Sequence, residues 1–329
     1  MEGGRDTREH GGSSPGGDVA VAIDLGGTNL RLGVVERSGD VIHRKKQATP
    51  GSRDAILRAI GALVGDGIAH CGDARRPVAG VGISTGGQVD YATGVIVSAT
   101  ALIPDWSNVP LRDVIGGEYH IPVFADNDGN CAAAAEKIFG CGKRLRNFLC
   151  LVLGTGIGGG VYVDGKMLRG AGNFAGELGH VSVDAGGPEC SCGGRGCVEL
   201  YASGSGIARW AGEDTHLRRL SGPHGELTSK IIGEASRAGD AHATALLKAA
   251  GERLGLAAAG MVNVFNPECI ILAGSLLELG DPYLSEFRST VLRRAMKAPV
   301  RGLGIERSQF PQEGGILGAA ALVFEEAAV

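Results

Sequence analysis

One histidine and three cysteines, His180, Cys190, Cys192 and Cys197, fall inside the run GELGHVSVDAGGPECSCGGRGCVE. Thiolates and imidazole suit zinc, and three sulfurs with one nitrogen make a closed tetrahedral structural site. Cys190 and Cys192 are too close in sequence for an easy disulfide, but both can reach one metal. The interleaved Gly186, Gly187, Gly193, Gly194 and Gly196 let the backbone wrap tightly around an ion. Four unrelated loop residues are the bland alternative, and the density of ligands argues against it. Glu177 and Glu199 bracket the cluster. A metal loop that fixes two carboxylates suggests a polar ligand held between them.

A second constellation is Asp126-Asn127-Asp128-Gly129-Asn130, at a strand end where a helix begins. Such carboxyl ends are where α/β sheets bind ligands. A helix N-cap explains one of these residues, and four polar groups exceed what capping needs. A carboxylate here can take the proton of an attacking hydroxyl, as a base does in phosphoryl transfer. Asp128 is the stronger candidate, because Asp126 lies earlier on the strand. Two glycine-rich turns complete the chemistry. In Asp24-Leu-Gly-Gly-Thr-Asn-Leu-Arg31, backbone N–H groups can approach phosphate oxygens, Thr28 and Asn29 add donors, and Arg31 adds a positive fork. A tight hairpin with a structural salt bridge is the other reading. Leu153-Gly-Thr-Gly-Ile-Gly-Gly-Gly160 is its counterpart, bare backbone plus the Thr155 hydroxyl. Neither turn is a P-loop, which needs Lys after its second glycine, and neither leads from strand to helix with dinucleotide-binding spacing.

The elements that must position these residues alternate between strand and helix, which predicts α/β architecture. VAVAID-LGGTN-LRLGVV and NFLCLVL-GTGIGG-GVYVDG each read as strand, glycine turn and strand, and their recurrence hints at internal duplication. Between them the pattern predicts a helix over about 52–70, the strand VAGVGIS, a TGGQVD loop, the strand GVIVSA, and IPVFADND leading into a helix that Gly140 stops. Helices are expected near 197–213, 225–238, 240–264, 283–297 and 314–326, with ECIILAG as a buried strand.

The chain has 329 residues, 43% hydrophobic and 21% charged, with a net charge of −4. That is ordinary for a globular protein of two domains and gives no cause to expect nucleic acid or an acidic membrane as partner. Residues 1–17 are polar and glycine-rich and are expected to be a disordered tail rather than a signal peptide. No run approaches the roughly 18 apolar residues that span a bilayer. The other five cysteines, Cys71, Cys131, Cys141, Cys150 and Cys269, are scattered among apolar segments and read as buried free thiols in a reducing compartment, the cytoplasm.

DLGGTNLR, NDGNCAAAAE, GTGIGGG, GELGH and CSCGGRGCVE, in this order, resemble the ROK family of sugar kinases and repressors over residues 18–326. Within it, GISTGGQVD, IPDWSNVPLRD and GCVELYASG look most like the N-acetylmannosamine kinases, including the kinase half of the bifunctional UDP-N-acetylglucosamine 2-epimerase/N-acetylmannosamine kinase. The resemblance implies an actin-like, ribonuclease H-like two-domain sugar kinase fold with ATP between the domains. Residues 18–126 would form the smaller α/β domain, closed by a C-terminal helix over 314–329. Residues 127–313 would form the larger domain, with a zinc loop over 180–197.

Carried over residue by residue, Asp128 would be the base acting on the C6 hydroxyl, and Asn127 would bind the sugar. Glu177, His180 and Glu199 would contact sugar hydroxyls, with His180, Cys190, Cys192 and Cys197 on zinc. Gly87, Gln88 and Thr100 would border the substituent of the hexose or N-acetylhexosamine. Asp24 would hold Mg2+ through water, and Gly26, Gly27, Thr28, Asn29 and Arg31 would face the transferring phosphate. Thr155 and Gly156 would hold nucleotide phosphates, and Gly274 with Ser275 would open the adenosine side, although Ala273-Gly274 departs from the commoner Gly-Gly. N-acetylmannosamine is the expected substrate, with glucose and N-acetylglucosamine as alternatives, and a homodimer is expected. Repressors of the family carry a helix-turn-helix ahead of the first strand. Only the short glycine-rich segment precedes it here, so a kinase is expected.

Overall fold

The computed structural model describes residues 18–99, 103–222, 225–311 and 313–327. Thr100 and the tail over 1–17 lie outside them. In chain order, the first half comprises β1 (Val19–Leu25), β2 (Asn29–Glu36), β3 (Val41–Ala48), α1 (Arg53–Asp73), β4 (Val78–Thr85), β5 (Gln88–Asp90), β6 (Val95–Ser98), β7 (Val109–Pro110), α2 (Leu111–Tyr119) and β8 (Val123–Asn127). The second half begins with α3 (Asp128–Ile138), β9 (Phe148–Leu153), β10 (Ile157–Val163), β11 (Lys166–Met167), α4 (Glu199–Ala202) and α5 (Gly204–Glu213). It continues through α6 (Thr215–Arg218), α7 (Ser229–Arg237), α8 (Ala241–Phe265), β12 (Cys269–Ala273), α9 (Asp281–Arg294), β13 (Gly304–Arg307) and α10 (Gly314–Glu326).

Two five-stranded sheets share one plan. The first has the order β3-β2-β1-β4-β8 and the second β11-β10-β9-β12-β13. In each, an antiparallel hairpin leads into parallel strands: β1 pairs antiparallel with β2 and parallel with β4, as β9 does with β10 and β12. This is the expected duplication in structural form. A small β5-β6-β7 sheet carries Gln88.

Every residue of β1 is buried, because both faces of its sheet are covered. Val21, Ile23 and Leu25 pack in a core with Ile56, Ile60 and Val64 of α1. Helix α1 is long and apolar enough to cross a membrane by length and composition alone, but this face is a core face. The alternate residues Ala20 and Ala22 belong to a second core with α3 and α10. Ala132 and Ala133 of α3 pack in turn on Phe148, Cys150 and Tyr162 of the second sheet. Small residues set how closely these layers meet. A Cβ at Gly82 would lie 1.8 Å from the Ala319 carbonyl oxygen of α10, and overpacking of this sort costs about 1–3 kcal/mol. The outcome for chemistry is that α3 lies between the two sheets, with Asp128 as its first residue. The second sheet has its own core, in which Leu149, Leu151 and Leu153 meet Leu254, Phe287 and other residues of the C-terminal helices.

Local readings differ in several places. Gln88–Asp90 is a short strand rather than part of a loop. The helix expected over 197–213 is split at Ser203, whose hydroxyl caps α5 by accepting from Gly206 N. The helix after Asp128 ends at Ile138, with Gly140 beyond it in extended backbone. Cys71, Cys131, Cys150 and Cys269 are buried free thiols and Cys141 is half-buried.

Candidate functional site

The site starts at the corner between β8 and α3. Asn127 caps α3: its Oδ1 accepts from Gly129 N at 2.8 Å, and its Nδ2 donates to the Gly87 carbonyl at 2.9 Å. One amide therefore satisfies an orphan helix N–H and ties the corner to the loop before β5. Asp128 follows, exposed to water on one side yet closely surrounded by protein on the others. That desolvation, then the nearby charge of Asp24, and lastly that of Glu177, push its carboxyl up to about 6. Hydrogen bonding from Gly129 N opposes the rise. A carboxylate tuned toward neutrality beside other acids suits general-base work.

Asp126 has a different office. Its carboxylate is buried and ion-paired with Arg169, and it also accepts from Asn127 N at 2.8 Å and Asn130 Nδ2 at 3.0 Å. Burial pushes its pKa up and Arg169 pulls it back. Buried, ion-paired and accepting three hydrogen bonds, it serves the corner and is poorly placed to act as a base. The Asn130 Oδ1 is buried with no partner among the described residues.

The first glycine turn closes through Gly26 N donating to the Asn29 carbonyl at 2.9 Å, and Thr49 Oγ1 donates to the Gly26 carbonyl at 2.6 Å. Gly26, Gly27 and Thr28 are exposed and Asn29 half-buried. Asp24 and Arg31 face each other in the β1–β2 register, and Arg31 Nε donates to Asp24 Oδ2 at 2.7 Å. The turn is therefore an exposed glycine hairpin that carries an ion pair.

In the second turn Gly154 N donates to the Gly156 carbonyl at 3.0 Å. Ser205 Oγ, from α5, donates to the Thr155 carbonyl at 2.8 Å. Glu199 accepts from Ile157 N at 2.8 Å, and a Cβ at Gly156 would lie 2.5 Å from Glu199 Oε2. The glycine is thus needed for the acid to reach the turn. Gly274, with φ +97°, abuts Leu153 at the start of the same turn, so the turn and the end of β12 are neighbours.

A cleft of about 1220 Å³ joins the loop before β5, Asn127 and the second glycine turn. Gln88 and Asn127 line it from the first half, and Thr155, Glu177, His180 and Glu199 from the second. Gly87 and Gly156 also contribute, whereas Asp128, which follows the wall residue Asn127, is not among its walls, and neither are Asp24, Gly26, Gly27, Thr28, Asn29, Arg31 and Gly274. Ser98 Oγ donates to Gln88 Oε1 at 2.9 Å, which leaves the Gln88 Nε2 as the group free to donate. Trp106 and Ile103 add an apolar wall, with Trp106 Nε1 donating to Thr85 Oγ1 at 3.0 Å. These two were not among the residues foreseen. The IPDWSNVPLRD motif contains both, but composition alone does not say that it lines a cleft.

Ligand atoms of His180, Cys190, Cys192 and Cys197 lie within 4.8 Å of one another. Cys190 Sγ is 3.6 Å from His180 Nδ1, and Cys192 Sγ is 3.6 Å from Cys197 Sγ. A tetrahedral zinc with Zn–S of about 2.3 Å sets two sulfurs about 3.8 Å apart and a sulfur–nitrogen pair about 3.6 Å apart. The donor set and its spacing therefore fit that ion. Gly194 N donates to Cys192 Sγ at 3.4 Å, as an outer partner of a thiolate does. With Nδ1 turned to the cysteines, His180 Nε2 faces Glu177 Oε2 at 4.0 Å.

A model of the ROK family matches residues 20–326. A glucokinase from Thermotoga maritima is 33% identical over 314 residues, 93% of this chain and 97% of that protein. The crystal structure of a ROK family glucokinase from Streptomyces griseus, in complex with glucose and AMPPNP, is 30% identical with a TM-score of 0.79, covering 93% of this chain and 99% of that one. A Listeria monocytogenes protein, provisionally named an N-acetylmannosamine kinase, is 28% identical with a TM-score of 0.78, covering 94% of this chain and 99% of that one.

Proposed function

The chain belongs to the ROK family and is an ATP-dependent hexose kinase, and from that premise we propose that it phosphorylates the C6 hydroxyl of N-acetylmannosamine. The observation that carries the chemistry is Asp128, held at the start of α3 with its carboxyl raised to about 6 beside Asp24 and Glu177. It would accept the C6 hydroxyl proton as the sugar oxygen attacks the terminal phosphorus of ATP. Asn127, Glu177, His180 and Glu199 would fix the other hydroxyls, so that the attacking oxygen is held in line.

The two glycine turns would face the triphosphate from opposite sides, with Thr155 and Gly156 on one and Gly27, Thr28, Asn29 and Arg31 on the other. Gly274 would border the adenosine. Residues 18–126 with α10, and residues 127–313, are the two domains proposed to bracket the nucleotide. Asp24 would hold Mg2+, which supplies charge neutralisation on the phosphates. His180, Cys190, Cys192 and Cys197 would hold Zn2+, which supplies rigidity to the loop and fixes the His180 ring. The protein is proposed to work as a cytoplasmic homodimer.

The sugar assignment rests on Gln88. Its carbonyl oxygen accepts from Ser98, so its amide N–H₂ would be the group offered to a ligand in the cleft, where the oxygen of an N-acetyl group would accept. A site built to bond such a group discriminates against sugars lacking it. The glucokinases among the relatives favour glucose as the second reading. Calorimetric titration of wild type and Gln88→Ala with both sugars separates them. N-acetylmannosamine should bind tighter than glucose, and Gln88→Ala should narrow the difference by about 1 kcal/mol, the worth of one hydrogen bond. Tighter glucose binding by wild type would transfer the assignment to glucose.

A further inference from the structure

Residues 169–175 leave the edge of β10 and return to it as a small closed loop. Leu168 N donates to the Val161 carbonyl at 2.7 Å, and Ala175 N donates to the Arg169 carbonyl at 3.0 Å. The loop belongs by sequence to the second half, yet its two long polar side chains reach into the first. Arg169 pairs with the buried Asp126, and its guanidinium stacks over the Tyr91 ring at 3.7 Å. Tyr91 is itself held by its hydroxyl donating to Glu326 at 2.7 Å. Asn173 Nδ2 donates to Asp90 Oδ1 at 2.8 Å.

Both anchors sit next to functional groups. Asp126 is two residues before Asp128, and Asp90 is two residues after Gln88 on the same short strand. On the loop side, Gly176 and Glu177 follow directly. A Cβ at Gly176 would lie 3.0 Å from Asn130 Oδ1, so this backbone rests on α3. Leu178 N donates to the Gly176 carbonyl at 2.7 Å and His180 N to the Glu177 carbonyl at 3.1 Å. The path from the anchors to Glu177 is therefore short, and backbone hydrogen bonds hold the chain on either side of it.

We propose that loop 169–175 is a strap beside the cleft that ties its two halves together, with Arg169 and Asn173 as positioning residues that set Glu177, and so the sugar, against Asp128 and Gln88. Neither residue lines the cleft's main walls, and neither has to touch the sugar. The inference rests on the hexose kinase reading. Placement matters at this level because a displacement of about 1 Å from a reactive geometry costs up to about 10²-fold in rate.

The test uses full-length enzyme and variants at Asn173, whose loss buries no charge. Asn173 has φ +65°, so Asn173→Gly removes the amide while tolerating that backbone. Asn173→Asp keeps the shape but sets like charge against Asp90. Sugar and ATP are varied separately in steady-state kinetics. Asn173→Gly should lower kcat/KM for the sugar about tenfold and leave the KM for ATP unchanged, and Asn173→Asp should lose more. In a Glu177→Gln background Asn173→Gly should add little, because the group it positions is gone. Arg169→Lys, which keeps the charge on Asp126 but loses the planar stack, should shift the same constants in the same direction. Wild-type sugar constants in Asn173→Gly, equal losses in both backgrounds, or an equal rise in the KM for ATP would each overturn the strap. Absence of turnover by wild type on every hexose would instead sink the kinase reading, so the two failures are distinct.

Discussion

Replacing Asp128 by Asn should leave a folded, sugar-binding protein that has lost most of its turnover. The carboxamide keeps the shape of the carboxylate, and its oxygen can still accept from Gly129 N, which Asp128 Oδ1 does at 2.8 Å. It cannot take a proton from the C6 hydroxyl. General-base catalysis contributes about 10²–10⁴-fold, or about 2.7–5.4 kcal/mol of barrier. Stability moves the other way. The carboxyl is raised from 3.8 to about 6 by burial and by Asp24 and Glu177. The folded chain thus holds this proton more tightly than the unfolded chain. The stabilising contribution of Asp128 is fully present below its ordinary value and is lost as pH rises through about 6. At pH 7 the neutral Asn removes two like-charge contacts, so the variant should melt no lower than wild type. The assays are steady-state turnover from pH 5 to 8, sugar binding by calorimetry and thermal melting. Wild-type kcat/KM should fall about tenfold per unit below about pH 6, and the residual activity of the variant should lack that limb. Turnover within about threefold of wild type, far short of the base contribution, would refute Asp128 as the base, as would a wild-type profile flat through pH 6.

The metal loop should bind one zinc per chain. Chelation or Cys192→Ser should lower the melting temperature and raise the sugar KM with ATP affinity unchanged, since a structural site contributes folding energy directly. Elemental analysis of purified wild type checks the stoichiometry. Arg31→Ala should depress turnover more than sugar affinity, because its guanidinium would meet charge that develops on the transferred phosphoryl group. It also leaves Asp24 without a partner that donates at 2.7 Å, and rapid-quench kinetics beside sugar titration separates the two effects.

The parts of the fold written in local pattern were legible. Buried strands such as VAVAIDL and FLCLVL announce themselves by continuous apolar runs, and the alanine-rich α3 by propensity. Strand β3, VIHRKKQA, was missed because most of it is exposed and five of its eight residues are His, Arg, Lys or Gln, which hide the period-two signal. Helix α2, LRDVIGGEY, was missed because it carries two glycines and buries only Leu111 and Ile115. At the site, the acids, glycine turns and metal ligands were legible because each sits in a short dense motif. The Arg169–Asp126 pair was not, since its members are 43 positions apart and only the meeting of the two halves brings them together. The division of labour between Asp126 and Asp128 follows from that pair: one acid is buried and consumed by a half-buried arginine, and the other is left open.

The central claim is tested most directly by ATP consumption with purified enzyme and a panel of N-acetylmannosamine, glucose, N-acetylglucosamine, mannose and fructose, with the product identified as the 6-phosphosugar. The account predicts turnover that depends on sugar and Asp128, with the highest kcat/KM for N-acetylmannosamine. A higher kcat/KM for glucose would contradict the substrate assignment, and no sugar-dependent ATP consumption across the panel would contradict the kinase itself.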